Sequence, residues 1–149
     1  MIGLLQRVTS ADVRVDGECI ASIGPGMLVL IGVERKDGDR QAHRLADRLL
    51  NYRVFPDAAG KMNQNILQTS GSMLLVPQFT LAADTSQGNR PGFSHAADPA
   101  SAEALFYALV KRVGQTLRSV ETGRFGANMA VSLVNDGPVT FSLQVPPDV

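Results

Sequence analysis

The sequence predicts one α/β domain, a mostly antiparallel and barrel-like sheet with two long helices packed on it. Three observations carry this. Two segments, near residues 42–50 and 104–117, repeat apolar side chains at helical spacing. Around them lie short runs of Val, Ile and Leu separated by Gly, Pro and Asp, the pattern of strands joined by turns. A chain of 149 residues holds one core comfortably and two poorly, so residues 1–149 are expected to form a single domain.

In chain order, Leu4–Val8 and Val13–Val15 are short apolar stretches either side of Thr9-Ser10. Asp16-Gly17 is a hairpin signal before a strand at Cys19–Ile23. Gly24-Pro25-Gly26 is a turn, and Met27–Ile31 is continuous enough to be a central strand, which makes the opening an antiparallel meander. Asp37 or Asp39 is placed to cap the first helix, whose Ala42, Leu45, Ala46, Leu49 and Leu50 form an apolar stripe opposite Arg44 and Arg48. Tyr52–Phe55 reads as a strand stopped by Pro56, and 63–72 as polar loop.

Met73–Val76 is a buried strand, and Pro77 ends its pattern because proline has no N–H for a ladder. A long polar stretch from Ala82 to Asp98 follows, of the kind that is usually functional when it occurs in a compact domain. Asp98-Pro99 then opens the second helix, with Asp at the cap and Pro at the first helical position. Gly123–Gly126 is loop. Met129–Val134 and Val139–Val145 are strands joined by an Asn135-Asp136-Gly137-Pro138 turn, and Pro146–Val149 is a tail expected to fray. The sum is about seven strands and two helices.

Composition narrows the function. Lys plus Arg and Asp plus Glu both number 14, so no broad basic face is available for non-specific nucleic-acid binding. One nucleotide or one end of a nucleic acid remains a possible partner. Cys19 is alone, which fits a reducing cytoplasm, and neither a signal peptide nor an apolar run of membrane-spanning length is present. His43 falls inside the first helix and His95 in the long loop. With Cys19 distant from both, no metal-ligand spacing emerges, and both histidines read as surface residues. The α/β-hydrolase elbow, the P-loop and the Gly-rich dinucleotide fingerprint are all missing.

Two constellations remain. Gln78-Phe79-Thr80 sets polar groups at the end of a buried strand, where Thr80 could serve as a nucleophile or the backbone N–H groups could bind an oxyanion. No histidine or carboxylate is near in sequence to activate the threonine. Asn135-Asp136-Gly137-Pro138-Val139-Thr140 reads first as a hairpin turn. Pro138 is unusual there because it removes a donor where pairing should resume, and X-Pro bonds are where cis peptides occur. A rigid recognition turn is the alternative.

At these motifs the chain resembles the D-aminoacyl-tRNA deacylases. Pro77-Gln78-Phe79-Thr80-Leu81 and Asn135-Asp136-Gly137-Pro138-Val139-Thr140 are similar to that family's paired signatures. The likeness extends to Leu5-Gln6-Arg7-Val8, Arg90-Pro91-Gly92-Phe93-Ser94 and Thr122-Gly123-Arg124-Phe125, nearly the whole chain. One position departs: Pro77 stands where the family usually has Ser, as in a sister group of animal deacylases with relaxed rejection of L-substrates. Arg7 and Phe79 match the D-specific family better.

The resemblance implies hydrolysis of the ester between a D-amino acid, or glycine, and the acceptor end of tRNA, without cofactor or metal. It implies a homodimer with a cross-subunit active site, into which a Gly137-cis-Pro138 dipeptide reaches from the partner. Backbone groups at Phe79 and Thr80 would hold the ester carbonyl, with Gln78 beside them as a further catalytic residue. The carbonyls of Gly137 and Pro138 would face the substrate's α-carbon, oriented by Arg7. Phe125 would lie against the terminal adenine, with Met129 also in the substrate site. The ribose 2′-OH of the substrate would assist in place of a protein base. Two rivals stand beside this reading: a non-catalytic homodimeric tRNA- or nucleotide-binding protein on the same scaffold, and a Thr80-nucleophile esterase.

Overall fold

The computed structural model of the chain describes residues 1–148. The first strand, β1 (Ile2–Val15), is one continuous element where the sequence shows two apolar stretches. Its first half, Ile2–Val8, pairs antiparallel with β3 (Gly26–Gly32), and its second half, Ala11–Val15, with β2 (Glu18–Ile23). Thr9 and Ser10 are exposed at this change of partner, which is why the apolar pattern breaks there although the strand does not. The Asp16-Gly17 hairpin forms as expected, with both residues at positive φ.

β3 is buried on both faces because it pairs in parallel with β6 (Ser72–Pro77) beneath a crossover that contains helix α1 (Asp39–Asn51). A short β7 (Val120–Thr122) extends the sheet parallel to β6. Three residues of modest burial carry no legible strand signal, and the sequence reading missed β7. β2 curls over towards β6 and β7, so that the sheet is nearly closed.

Two cores result. Met27, Val29, Ile31, Met73 and Leu75 face the helices, meeting Leu45 and Leu49 of α1 and Phe106 and Leu109 of α2 (Pro99–Gly114). Val8, Val13, Ile23, Leu28, Leu74 and Val76 fill the curled sheet. The helices are also joined by an ion pair: Arg112 places Nε 3.0 Å and Nη2 3.1 Å from the two carboxylate oxygens of Asp47.

Several expectations are corrected. Neither Asp37 nor Asp39 caps α1; the cap is Gly38, whose N–H is taken by Gln41 Oε1 at 2.9 Å. The Asp37 carboxylate is instead buried, accepting from the Met1 α-ammonium at 3.0 Å and the Glu34 N–H at 2.7 Å. Tyr52 terminates α1, and only Phe55–Pro56 is strand (β4), paired with β5 (Met62–Gln64), which runs into the start of the expected polar loop. A 3₁₀ turn at Ile66–Gln68 follows β5, buried through Ile66. The tail is docked as far as it is described: Val145 N–H donates to Met1 O, Gln41 reaches Pro146 O, and Arg40 pairs with Asp148. Val149, also expected to fray, lies outside the described residues.

The largest correction concerns the C-terminal strands. Asn135–Pro138 does not reverse the chain; β8 (Ala130–Gln144) runs straight through it, antiparallel to β1. Gln6 is opposite Thr140 and Val8 is opposite Asn135, so Arg7 alone on β1 faces the four residues Asp136–Val139 on β8. The surplus main chain forms a bulge. Bulges are also where a strand tolerates proline.

Candidate active site

Two places in the fold collect the residues singled out above. The first is a cleft of about 420 Å³ at the C-terminal end of β6. Pro77 ends β6 next to Ile31 of β3, and β7 pairs only as far as Leu75, so the missing proline donor leaves no gap in the ladder. Gln78 N–H then donates to Ile31 O at 2.7 Å, and the chain turns into a 3₁₀ helix, Phe79–Ala82, rather than continuing as strand or loop. The amides of Phe79 and Thr80 open this turn, where a helix has no acceptor of its own for them. The turn sits close on β3: a Cβ added at Gly32 would lie 2.8 Å from Leu81 Cβ.

Gln78 and Phe79 line the cleft together with Phe125 and Met129 from the segment after β7, and with Pro99 from the start of α2. Phe125 is half-buried, its ring 6.5 Å from that of Phe106 in α2, which holds the loop against the helix. Phe79 is 60 % exposed and stacks obliquely on Phe93 of the long loop, with centroids 5.3 Å apart. Thr80 is exposed, does not line the cleft, and its hydroxyl is in close contact with the Gln78 side-chain amide. Among the described residues no ionisable side chain lines this cleft. Asp98, next in sequence to the lining residues Ala97 and Pro99, is the N-cap of α2 and is held below the usual carboxylate range by hydrogen bonds from Ser101.

The second place is the β8 bulge. The Gly137–Pro138 peptide is cis, with Gly137 at φ +132. Arg7 reaches across from β1: its Nε donates to Asp136 O at 3.2 Å and lies 3.3 Å from Asp136 Oδ2, while Nη1 donates to Val54 O at 2.7 Å. Arg7, Gly137 and Pro138 are thus brought together, but none of them lines the cleft that holds Gln78, Phe79, Phe125 and Met129. Within one chain the expected site residues form two groups, not one.

The sequence reading overlooked Pro99 as a cleft residue, Val54 O as an acceptor for Arg7, and the side chain of Asn135. The Asp98-Pro99 signal announces a helix start correctly but not what that start abuts. His43 is exposed on α1, and His95 is exposed with Nε2 3.9 Å from Asp84 Oδ2. Among the described residues no group of three His, Cys, Asp or Glu side chains is placed to hold a metal ion, and no helix is long and apolar enough to cross a membrane.

The fold and the cleft define a class: a small α/β protein whose cleft is walled by apolar and aromatic side chains and, among the described residues, by no acid–base side chain. Comparison with known proteins narrows the class. The family model for D-Tyr-tRNA(Tyr) deacylase matches residues 4–144. Curated D-aminoacyl-tRNA deacylases from Citrobacter koseri and Xanthomonas oryzae are 59 % and 61 % identical over 145 residues, which is 97 % of this chain and 100 % and 99 % of theirs. A solved structure described as a c-Myc DNA unwinding element binding protein superposes with a TM-score of 0.94 at 37 % identity, covering 98 % of this chain and 99 % of that one. A probable eukaryotic D-amino acid tRNA deacylase shares the fold alone, with a TM-score of 0.80 at 16 % identity over 95 % of this chain and 98 % of its own. The chain belongs to the D-Tyr-tRNA(Tyr) deacylase family. Membership makes it a hydrolase of the deacylase kind.

Proposed function

We propose that the protein hydrolyses the ester joining a D-amino acid, or glycine, to the terminal adenosine of tRNA, releasing free amino acid and tRNA. The observation that carries this reading is the make-up of the cleft, with Gln78 and Phe79 on its wall, Phe125 and Met129 beside them, and no ionisable side chain. Backbone N–H groups at Phe79 and Thr80 can hold an ester carbonyl as charge develops on its oxygen. An aromatic ring at Phe125 can seat an unpaired adenine. A protein base is what the cleft lacks, and the ribose 2′-OH beside the scissile ester assists the attacking water in its place.

In this reading the protein works in the cytoplasm as a homodimer, without cofactor, and Gly137-Pro138 of each copy enters the partner's cleft. Two observations support it. The bulge stands apart from the cleft of its own chain, and β8 pairs with β1 on one side only. Val134 and Phe141, exposed on β8 either side of the bulge, flank the dipeptide with apolar surface. Main-chain carbonyls at Gly137 and Pro138 then accept from the amino group of a D-substrate, while an L side chain would collide with them. Glycine, which has no side chain, is admitted. Neutral net charge agrees with reading only the acceptor end.

Single-turnover hydrolysis of D-Tyr-tRNA, L-Tyr-tRNA and glycyl-tRNA tests this, with the D and glycyl esters cleaved and the L ester spared. Binding without turnover would overturn it in favour of a non-catalytic nucleic-acid-binding protein on the same scaffold; the structural relative at 37 % identity is described as a DNA unwinding element binding protein.

A further inference from the structure

We infer that Asn135 is the residue that sets the width and aim of the Gly137-Pro138 tip, and hence a positioning residue for selection between D and L substrates. This rests on the reading above, in which the tip faces the substrate. The bulge replaces one residue of β1 with four of β8, and main chain that leaves a ladder in this way exposes carbonyls with no strand partner. Two of them, Arg7 O on β1 and Val139 O at the far foot of the bulge, receive the same side chain. Asn135 Nδ2 donates to each at 3.0 Å.

A primary amide has two N–H donors on one nitrogen, so it can tie both carbonyls at once, and the half-buried Asn135 does so. The near foot is held separately, by the Arg7 Nε–H bond to Asp136 O at 3.2 Å. With Asp136 and Val139 both tethered, the two residues between them have little freedom. A Cβ at Gly137 would lie 2.7 Å from Val139 Cγ2 and 3.2 Å from Arg7 Nη2, so the tip is folded down on its own base. Asparagine is therefore needed for its donors and not merely for turn propensity. Asp would turn two acceptor oxygens on two carbonyls, and Ala would leave both carbonyls unmatched.

The test measures D-Tyr-tRNA and L-Tyr-tRNA deacylation by wild type, N135A and N135D, with thermal melts and oligomeric state alongside. Loss of two hydrogen bonds sets the scale: kcat/KM on the D ester is expected to fall about tenfold to a hundredfold in both variants. The L-to-D ratio is expected to rise about tenfold or more, because a loosened tip no longer excludes the L side chain. A purely architectural role would lower activity and melting temperature together and leave that ratio where it was; such a result, or wild-type selectivity in either folded variant, overturns the inference. Slow solvent exchange of the Asn135 side-chain amide protons is expected by NMR on the wild type, and fast exchange overturns the inference whether or not the variants fold. A wild type that cleaves neither ester would instead sink the deacylase reading itself, a separately visible result.

Discussion

The guanidinium of Arg7 touches Asp136 twice, with Nε 3.2 Å from its carbonyl oxygen and 3.3 Å from its carboxylate, although 129 positions separate the two residues. The same side chain reaches Val54 O, so it joins β1, the β8 bulge and the exit of α1. Lysine retains the charge but not the planar fork that serves two acceptors at once. R7K is expected to lower kcat/KM on a D-aminoacyl-tRNA by about tenfold or more, while the melting temperature moves by only a few degrees. Steady-state kinetics with a parallel melt check it, and near-wild-type kcat/KM would remove Arg7 from the site.

Gly32 makes room for the 3₁₀ turn that carries Phe79 and Thr80, with Leu81 Cβ 2.8 Å from where a Cβ would stand. Gly32→Ala must push that turn outward, a strain on the scale of about 1–3 kcal/mol. Because the turn's amides hold the reacting carbonyl in the proposed mechanism, a displacement of about 1 Å is expected to cost up to a hundredfold in kcat. The variant should remain folded by circular dichroism. Unchanged kcat would show that the turn does not contact the ester.

Thr80 is exposed and its hydroxyl meets only the Gln78 amide among the described residues. Thr80→Ala is expected to reduce kcat by no more than roughly tenfold, the value of one side-chain hydrogen bond. A loss of several thousandfold in a folded variant would point to a threonine nucleophile and an acyl-enzyme intermediate, which mass spectrometry of quenched reactions would detect.

Replacing the terminal adenosine of the substrate by 2′-deoxyadenosine removes the hydroxyl that the cleft does not replace. The deoxy substrate is expected to bind with similar affinity and to hydrolyse at least about a hundredfold more slowly, on the scale of lost acid–base assistance. Equal rates would require a protein base. Asp136, salt-bridged to Arg7, would be the first residue to substitute.

Asp98 caps α2 beside the cleft, and hydrogen bonds from Ser101 hold its carboxyl pKa below the ordinary carboxylate value. A depressed folded-state pKa means the cap stabilises fully above the unfolded value and loses its effect as pH falls through the folded one. Asp98→Ala is expected to lower Tm by about 2–4 °C at pH 7, and the gap to wild type should narrow as pH falls below about 4. Melts in a pH series decide it; a gap that persists at low pH would assign the effect to packing.

Both helices, the Asp16-Gly17 hairpin, the Asp98-Pro99 helix start and the buried β3 and β6 strands were legible in the sequence. Each depends on residues a few positions apart: apolar spacing, a cap side chain, a pair of turn residues. The family signatures around Gln78 and Gly137 were legible for the same reason, as short contiguous strings. Where local rules misled, a distant partner had overridden them. Asn135-Asp136-Gly137-Pro138 carries every local mark of a reversal, yet β8 continues because β1 supplies a ladder on both sides of it and Arg7 closes over the excess. Asp37 looked like a cap and was taken instead by the α-ammonium of Met1. The cleft is tertiary in the same sense, since the end of β6, the start of α2 and the segment around Phe125 and Met129 meet only because two helices pack on one face of a closing sheet. Sequence by itself determined which residue types and which local shapes were available. Tertiary structure decided which of them meet, because contacts between residues far apart in the chain depend on strand order and packing, and no local propensity encodes those.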